Sequence, residues 1–291
     1  MTKTKDLIII YILLLLEILI LTNSKTVIYN INNSSLLFIT KTFPSLYPTM
    51  IIGLLLTKLN FYKIVPKFIN NIFNKLFNFN NIHTSIFISA LICGSPSNAV
   101  FINEYLENNL ITKKEAESLL CCTHFINPLF IINAIGIEIF NSAFIGFLII
   151  LGLIASNLFK AFILRNDFSS KNINISNNTN NKFIDTFFST IKSSIISILN
   201  IFSIVITFNI LLSLITNVFN LNSYLNVAVN IILELTSGIY KIKYLNLSKL
   251  LKIFLSYYSL SFGGLSICLQ TLFMIQNKKI KHLKYFIFRL F

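Results

Sequence analysis

Tryptophan is absent from these 291 residues, arginine occurs only at Arg165 and Arg289, and only 12% of the chain is charged, against about 25% in an ordinary soluble domain. That shortfall excludes a soluble globular enzyme. The apolar residues make up 55% of the chain, with a mean hydropathy of +0.75. They gather in blocks of roughly 16 to 28, near the ~20 needed to cross a bilayer. The expected fold class is all-α: a polytopic transmembrane helical bundle of about 6–8 spans, with broken or re-entrant helices in two halves.

Signatures of chemistry are missing as well. There is no G-x-S-x-G elbow, no G-x-x-x-x-G-K-[ST] loop, no H-E-x-x-H and no acidic pair on a membrane helix. No catalytic residue, enzyme activity or cofactor is expected. Cys93, Cys121, Cys122 and Cys268 fall inside apolar blocks, whereas disulfide scaffolds place cysteines in extramembrane loops. They read as small buried apolar side chains. The Cys121, Cys122 and His124 cluster lacks the further ligands that a metal site needs, and His124 reads as a packing group.

The charge that remains is lopsided, with 24 Lys and Arg against 10 Asp and Glu, a formal +14. The lysines sit at the ends of apolar blocks, as membrane flanks held at anionic headgroups do. The expected partner is the lipid bilayer, with a homo-oligomer allowed, and not nucleic acid. Ile, Asn, Lys, Phe and Leu dominate, as an AT-rich coding bias would produce, so scattered asparagines are weak evidence for a site.

Four regions follow along the chain. Residues 1–34 read as an N-terminal membrane helix and connection, 35–164 as a first membrane half, 165–186 as a polar linker, and 187–291 as a second half with a basic tail. Glu17 interrupts the first apolar run and either faces the interface or marks a buried position. Pro44 and Pro48 free the carbonyls of Thr40 and Pro44, so a helix is expected to start or break there. Residues 58–81 are basic and lack acids. Block 82–103 is interrupted by Gly94-Ser95-Pro96-Ser97-Asn98, and Thr112 with Glu115 has the form of a capping box. The helix begun there is interrupted at Asn127-Pro128, which frees the carbonyl of His124. Block 142–164 reads as a plain span in which Gly146 and Gly152 allow close approach. Sequons begin at Asn174 and Asn177, as expected by chance in so Asn-rich a linker.

In the second half the breaks are Glu234-Leu235-Thr236-Ser237-Gly238 and Ser261 to Ser266. Charge bias places 58–75 with 160–182, and 241–252 with the tail, if one broken block in each half enters and leaves on the same side. The expected re-entrant blocks are 82–103 and 253–276. Paired breaks in two halves expose backbone groups and half-helix dipoles at membrane depth, which suits a small polar solute or an ion. The candidate substrate-binding residues are Gly94, Ser95, Pro96, Ser97, Asn98, Asn127, Pro128, Glu234, Thr236, Ser237, Gly238, Gly263, Gly264, Ser266 and Gln270. Glu234 is the one acid beside a break in the second half.

The runs FPSLYP at 43–48, CGSPSNA at 93–99, ITKKEAESLL at 111–120, NPLFIINAIG at 127–136, LELTSGI at 233–239 and SFGGLSICLQ at 261–270 resemble, in order, the sporulation integral membrane protein YlbJ family. That family is related to proteins with the nucleoside-recognition or Gate domain. The resemblance implies a multi-pass protein of the bacterial cytoplasmic membrane, tied to endospore formation and cortex assembly, with a Gate-like first half and a transport role of unassigned substrate. The family's usual G-Y-P-x-G stands here as Gly94-Ser95-Pro96-Ser97-Asn98. The competing expectation is a non-transporting scaffold for spore envelope or cortex assembly, acting through loops 104–118 and 165–186.

Overall fold

The computed structural model describes residues 2–169, 183–219, 221–275 and 280–290. Among them every regular element is helical. The first membrane half contains α1 (Thr2–Thr22), α2 (Ser24–Leu37), α3 (Phe43–Lys58), α4 (Lys67–Phe77), α5 (Asn81–Cys93), α6 (Ser97–Glu107), α7 (Lys113–Cys122), α8 (Pro128–Phe130) and α9 (Ala143–Ile163). The second contains α10 (Phe183–Phe219), α11 (Ser223–Leu233), α12 (Leu235–Ile242), α13 (Lys249–Phe262), α14 (Gly264–Met274) and α15 (His282–Ile287). Of the expected linker 165–186, residues 170–182, with both sequons, lie outside the described residues; α10 already begins at Phe183.

Among the described residues, four helical stretches are long and apolar enough to cross a membrane: Ser24–Lys58, Ala143–Ile163, Phe183–Asn217 and Lys249–Met274. A fifth is added if Lys67–Phe77 and Asn81–Cys93, bent by 99°, count as one. This is fewer than the six to eight expected, because several apolar blocks are divided into helices of 8 to 13 residues. Outward faces of α1 and α9, carrying Leu7, Leu14, Phe144, Phe147 and Phe159, are exposed apolar surface of the kind that lipid covers. Glu17 is exposed among them rather than buried against a second helix.

The prolines at 44 and 48 do not break their helix. Phe38–Thr42 is a π turn that joins α2 to α3, Pro44 sits in the first turn of α3, and Pro48 lies within it. The wider turn absorbs the lost amide donors, and the Ser45 hydroxyl reaches the carbonyls of Lys41 and Thr42.

Short helices pair as antiparallel hairpins. In the first, the Tyr105 hydroxyl near the end of α6 lies against Ser85 near the start of α5. In the second, Lys241 at the end of α12 donates to Asn226 and Asn230 of α11. Each hairpin is followed by an interrupted helix: α7 with α8 and its π extension Ile131–Ile137, and α13 with α14.

The two hairpins open at opposite ends of the molecule. At one end Lys58 meets Ser189, Asn78 meets the Arg165 carbonyl, and the Lys281 amide reaches Glu117. At the other, Lys41 pairs with Glu138, Lys243 reaches the Glu138 carbonyl, and Tyr224 reaches that of Asn246. The 21 residues of α9 separate these ends by about 30 Å. Hence 241–252 and the tail lie at opposite ends, against the expectation from charge bias. The second hairpin is 223–242, not 253–276: the one-residue break at Gly263 leaves Lys249–Met274 long enough to cross.

Asp167 holds the tail at the basic end. It accepts hydrogen bonds from Lys284 and Ser118 and pairs with Lys114. Burial raises its carboxyl, but the bonds from Lys284, Ser118 and Lys114 outweigh burial and hold it at about 2, below the ordinary 3.8. A carboxylate depressed on folding stabilises above its unfolded value and loses that contribution as pH falls from 3.8 toward about 2. At neutral pH, Asp167→Asn is expected to speed tryptic cleavage at Lys281 and Lys284 about tenfold, since charge-assisted bonds are lost. Unchanged cleavage would show that the tail docks without this carboxylate.

Candidate functional site

The first hairpin turns at Gly94-Ser95-Pro96. Gly94 has φ of +79° and ψ of 178°, and a Cβ on it would lie 2.5 Å from the Asn127 nitrogen. Only glycine lets the hairpin tip press on the break between α7 and α8. Around that contact the buried polar groups interlock. Ser95 Oγ and His124 Nδ1 are 2.8 Å apart, Asn98 donates to the carbonyl and hydroxyl of Thr123, and the His124 carbonyl accepts from Asn157 of α9 at 2.7 Å. The carbonyl that Pro128 frees thus finds a side-chain donor.

Asn127 is the hinge of this half. Its Oδ1 caps α8 by accepting from the amides of Leu129 and Phe130, while its Nδ2 donates to the carbonyls of Ser45 and Cys93 and to the Thr49 hydroxyl. One side chain therefore ties α3, α5 and α8 together. Asn98, where the resembled motif has glycine, is an ordinary residue of α6.

Glu234 separates α11 from α12 with φ of −137° and ψ of 111°. Its carboxylate caps α12, with Oε1 accepting from the Thr236 amide at 3.1 Å and Oε2 from the Ser237 amide at 2.7 Å. An acid suits this place because the amides of a helix N-terminus carry partial positive charge. Gly263, with φ of +81°, lies against the His124 ring, and Gly264 against the Ile231 carbonyl, so the second interrupted helix touches both the first break and the second hairpin tip.

These parts border a partly open cavity of ≈ 50 Å³ lined by Thr42, Ser45, Ser95, Pro96, Asn127, Glu234, Thr236 and Gln270, with apolar walls from Ile126, Phe130, Ile201, Val205 and Ile267. Glu234 is the charged residue of the lining and is 2% exposed. The Thr236 and Ser237 hydroxyls stand against the same carboxylate, so the cap places it at the cavity wall with most of its acceptor capacity engaged locally. The volume suits an ion or a few waters and falls below the roughly 300–1,000 Å³ of sites for larger ligands.

Of the candidate residues read from the sequence, Ser95, Pro96, Asn127, Glu234, Thr236 and Gln270 line this cavity, and Ser237 lines its extension. Gly94, Gly263 and Gly264 instead shape the contacts between breaks. Ser97, Asn98, Pro128 and Ser266 lie outside the lining, and Gly238 is inside α12, where its missing side chain admits the Ile231 backbone. Thr236 and Ser237 likewise belong to the first turn of α12, so the break is Glu234 itself. Thr42, Ser45, Asn157, Asn209 and Asn230 were not singled out. Asn157 and Asn230 fall among asparagines that the composition made uninformative, although each is 1% exposed and hydrogen-bonded. All four cysteines are buried free thiols.

No family model and no solved structure matches the chain. Over 107 residues, 37% of this chain, it is 28% identical to the sporulation integral membrane protein YlbJ of Bacillus subtilis (strain 168), of which the match covers 26%. The match therefore spans about a quarter of that relative. Together with four helices able to cross a bilayer, the similarity marks the chain as an integral membrane protein related at a distance to a sporulation membrane protein.

Proposed function

We propose that the chain is a transporter-like or gate-like protein of the bacterial cytoplasmic membrane that moves a small polar solute or ion during spore formation. The observation that carries this reading is the meeting of breaks from both halves around Glu234. Each half contributes a hairpin and an interrupted helix, and the hairpins open at opposite ends, as in folds that alternate access around a fixed midplane site. The basic end, with Lys58, Lys67, Lys75, Lys114 and Lys284, faces the cytoplasm by charge bias. The sporulation setting is supported by the partial similarity to YlbJ. The site binds rather than catalyses, since the one acid in its lining is engaged as a helix cap.

Gln270 gives a test that spares the fold, because among the described residues its Nε2 donates within α14, to Ser266. Gln270→Leu keeps the volume and removes the carboxamide. In a spore-forming host lacking the protein it is expected to lower heat-resistant spores about tenfold, with normal accumulation in the membrane. Full complementation by Gln270→Leu, with loss on exchanging the exposed residues of loop 104–118, would favour the scaffold instead.

A further inference from the structure

Past Glu234 lie two further spaces. A space of ≈ 10 Å³ shares Thr42, Val205, Glu234 and Thr236 with the cavity, and shares Ser34, Asn209 and Ser237 in turn with an outer space of ≈ 260 Å³. The outer space lies between α2, α10, α11 and α12, at the end of the molecule where Tyr224 meets Asn246. Its lining carries the polar side chains of Asn30, Asn33, Thr216 and Asn230 beside apolar walls, and Lys241 is the charged residue in it.

Lys241 is held in place without being neutralised. Its Nζ donates to Asn226 Oδ1 and Asn230 Oδ1, both at 2.9 Å, and among the described residues no carboxylate pairs with it. An ammonium has three donors, so one is left for the space it faces. Asn230 Oδ1 also accepts from Ser237 Oγ, and the Ser237 amide bonds Glu234. One hydrogen-bonded chain thus joins the outer cation to the inner acid.

We propose that the outer space is an entry vestibule, open at the end opposite the basic one, in which Lys241 captures a small anion ahead of the inner cavity. The passage onward rests on reading the Glu234 cavity as a solute site; the vestibule and its selectivity for anions do not. A cation in a cleft with low-dielectric walls concentrates anions there.

The test uses the full chain in right-side-out membrane vesicles, with Ser34→Cys or Thr216→Cys reacted separately with an impermeant sulfonate-bearing methanethiosulfonate and its trimethylammonium counterpart. The native thiols are 0–1% exposed and give little background. Both introduced thiols are expected to label from outside, with the sulfonate favoured about tenfold after correction for intrinsic rates. Lys241→Gln should remove that preference and Lys241→Arg should keep it. Absence of outside labelling, or a preference unchanged in Lys241→Gln, overturns the proposal. Labelling as expected beside full spore formation by the Gln270→Leu variant would leave the vestibule standing and remove the pathway reading.

Discussion

Glu234→Gln is expected to abolish or severely reduce complementation in a spore-forming host while the protein still accumulates in the membrane. The substitution keeps size and one acceptor oxygen for the α12 cap, but removes the charge from the cavity. A charge-assisted hydrogen bond is worth about 1.5–3 kcal/mol, equivalent to about 10–150-fold in affinity. Part of the effect falls on the cap, because Gln presents one acceptor where Glu234 presents two. Glu234→Asp separates these contributions: aspartate is a favourable cap and keeps the charge, but withdraws it from the cavity by one methylene. Accumulation with intermediate function is the expected result for Glu234→Asp. Normal spore formation by Glu234→Gln would remove the acid from the pathway and leave it as a cap.

Gly94→Ala acts on folding instead. The backbone there occupies a region that is nearly exclusive to glycine, costing about 1–3 kcal/mol for other residues. A methyl would also meet the Asn127 nitrogen at 2.5 Å and its Cα at 2.8 Å, backbone atoms that cannot rotate away. Overpacking adds about 1–3 kcal/mol, so a combined loss of about 2–6 kcal/mol is expected, comparable with much of a domain's stability. The measurement is membrane accumulation and the thermal midpoint in detergent. Ser95→Ala is the control: it removes the hydroxyl bonded to His124 at a cost of about 1 kcal/mol and should accumulate. Normal accumulation of Gly94→Ala would mean that the hairpin tip can withdraw from the break.

Much of this arrangement was legible because membrane segments punish irregular backbone. Gly94 through Pro96, Asn127-Pro128, Glu234 and Gly263 stand out in apolar runs, and each is a real interruption. The capping box at Thr112 and Glu115 forms as its spacing requires, with Thr112 Oγ1 accepting from the Glu115 amide and Glu115 Oε2 from that of Thr112. Pro44 marks the start of α3, as expected of a proline in a first turn, but a π turn carries the helical path through it and Pro48 lies within the helix, so neither makes a break. Asn157 and Asn230 look like any other asparagine in this composition; burial and hydrogen bonds to the His124 carbonyl and the Ser237 hydroxyl set them apart.

Composition and local pattern set the class: too little charge for a soluble surface, apolar blocks of helical length, and a few residues unable to continue a helix. The interruptions at Gly94, Asn127, Glu234 and Gly263 were legible too, because capping, proline and glycine effects act within one turn. Long-range packing chose which breaks meet, which hairpin stands in the second half, and that 241–252 lies opposite the tail. Those outcomes depend on contacts between residues far apart in the chain, such as Gly94 on Asn127, Gly263 on His124 and Lys284 on Asp167. Local propensity carries no information about which distant backbone will satisfy a broken one.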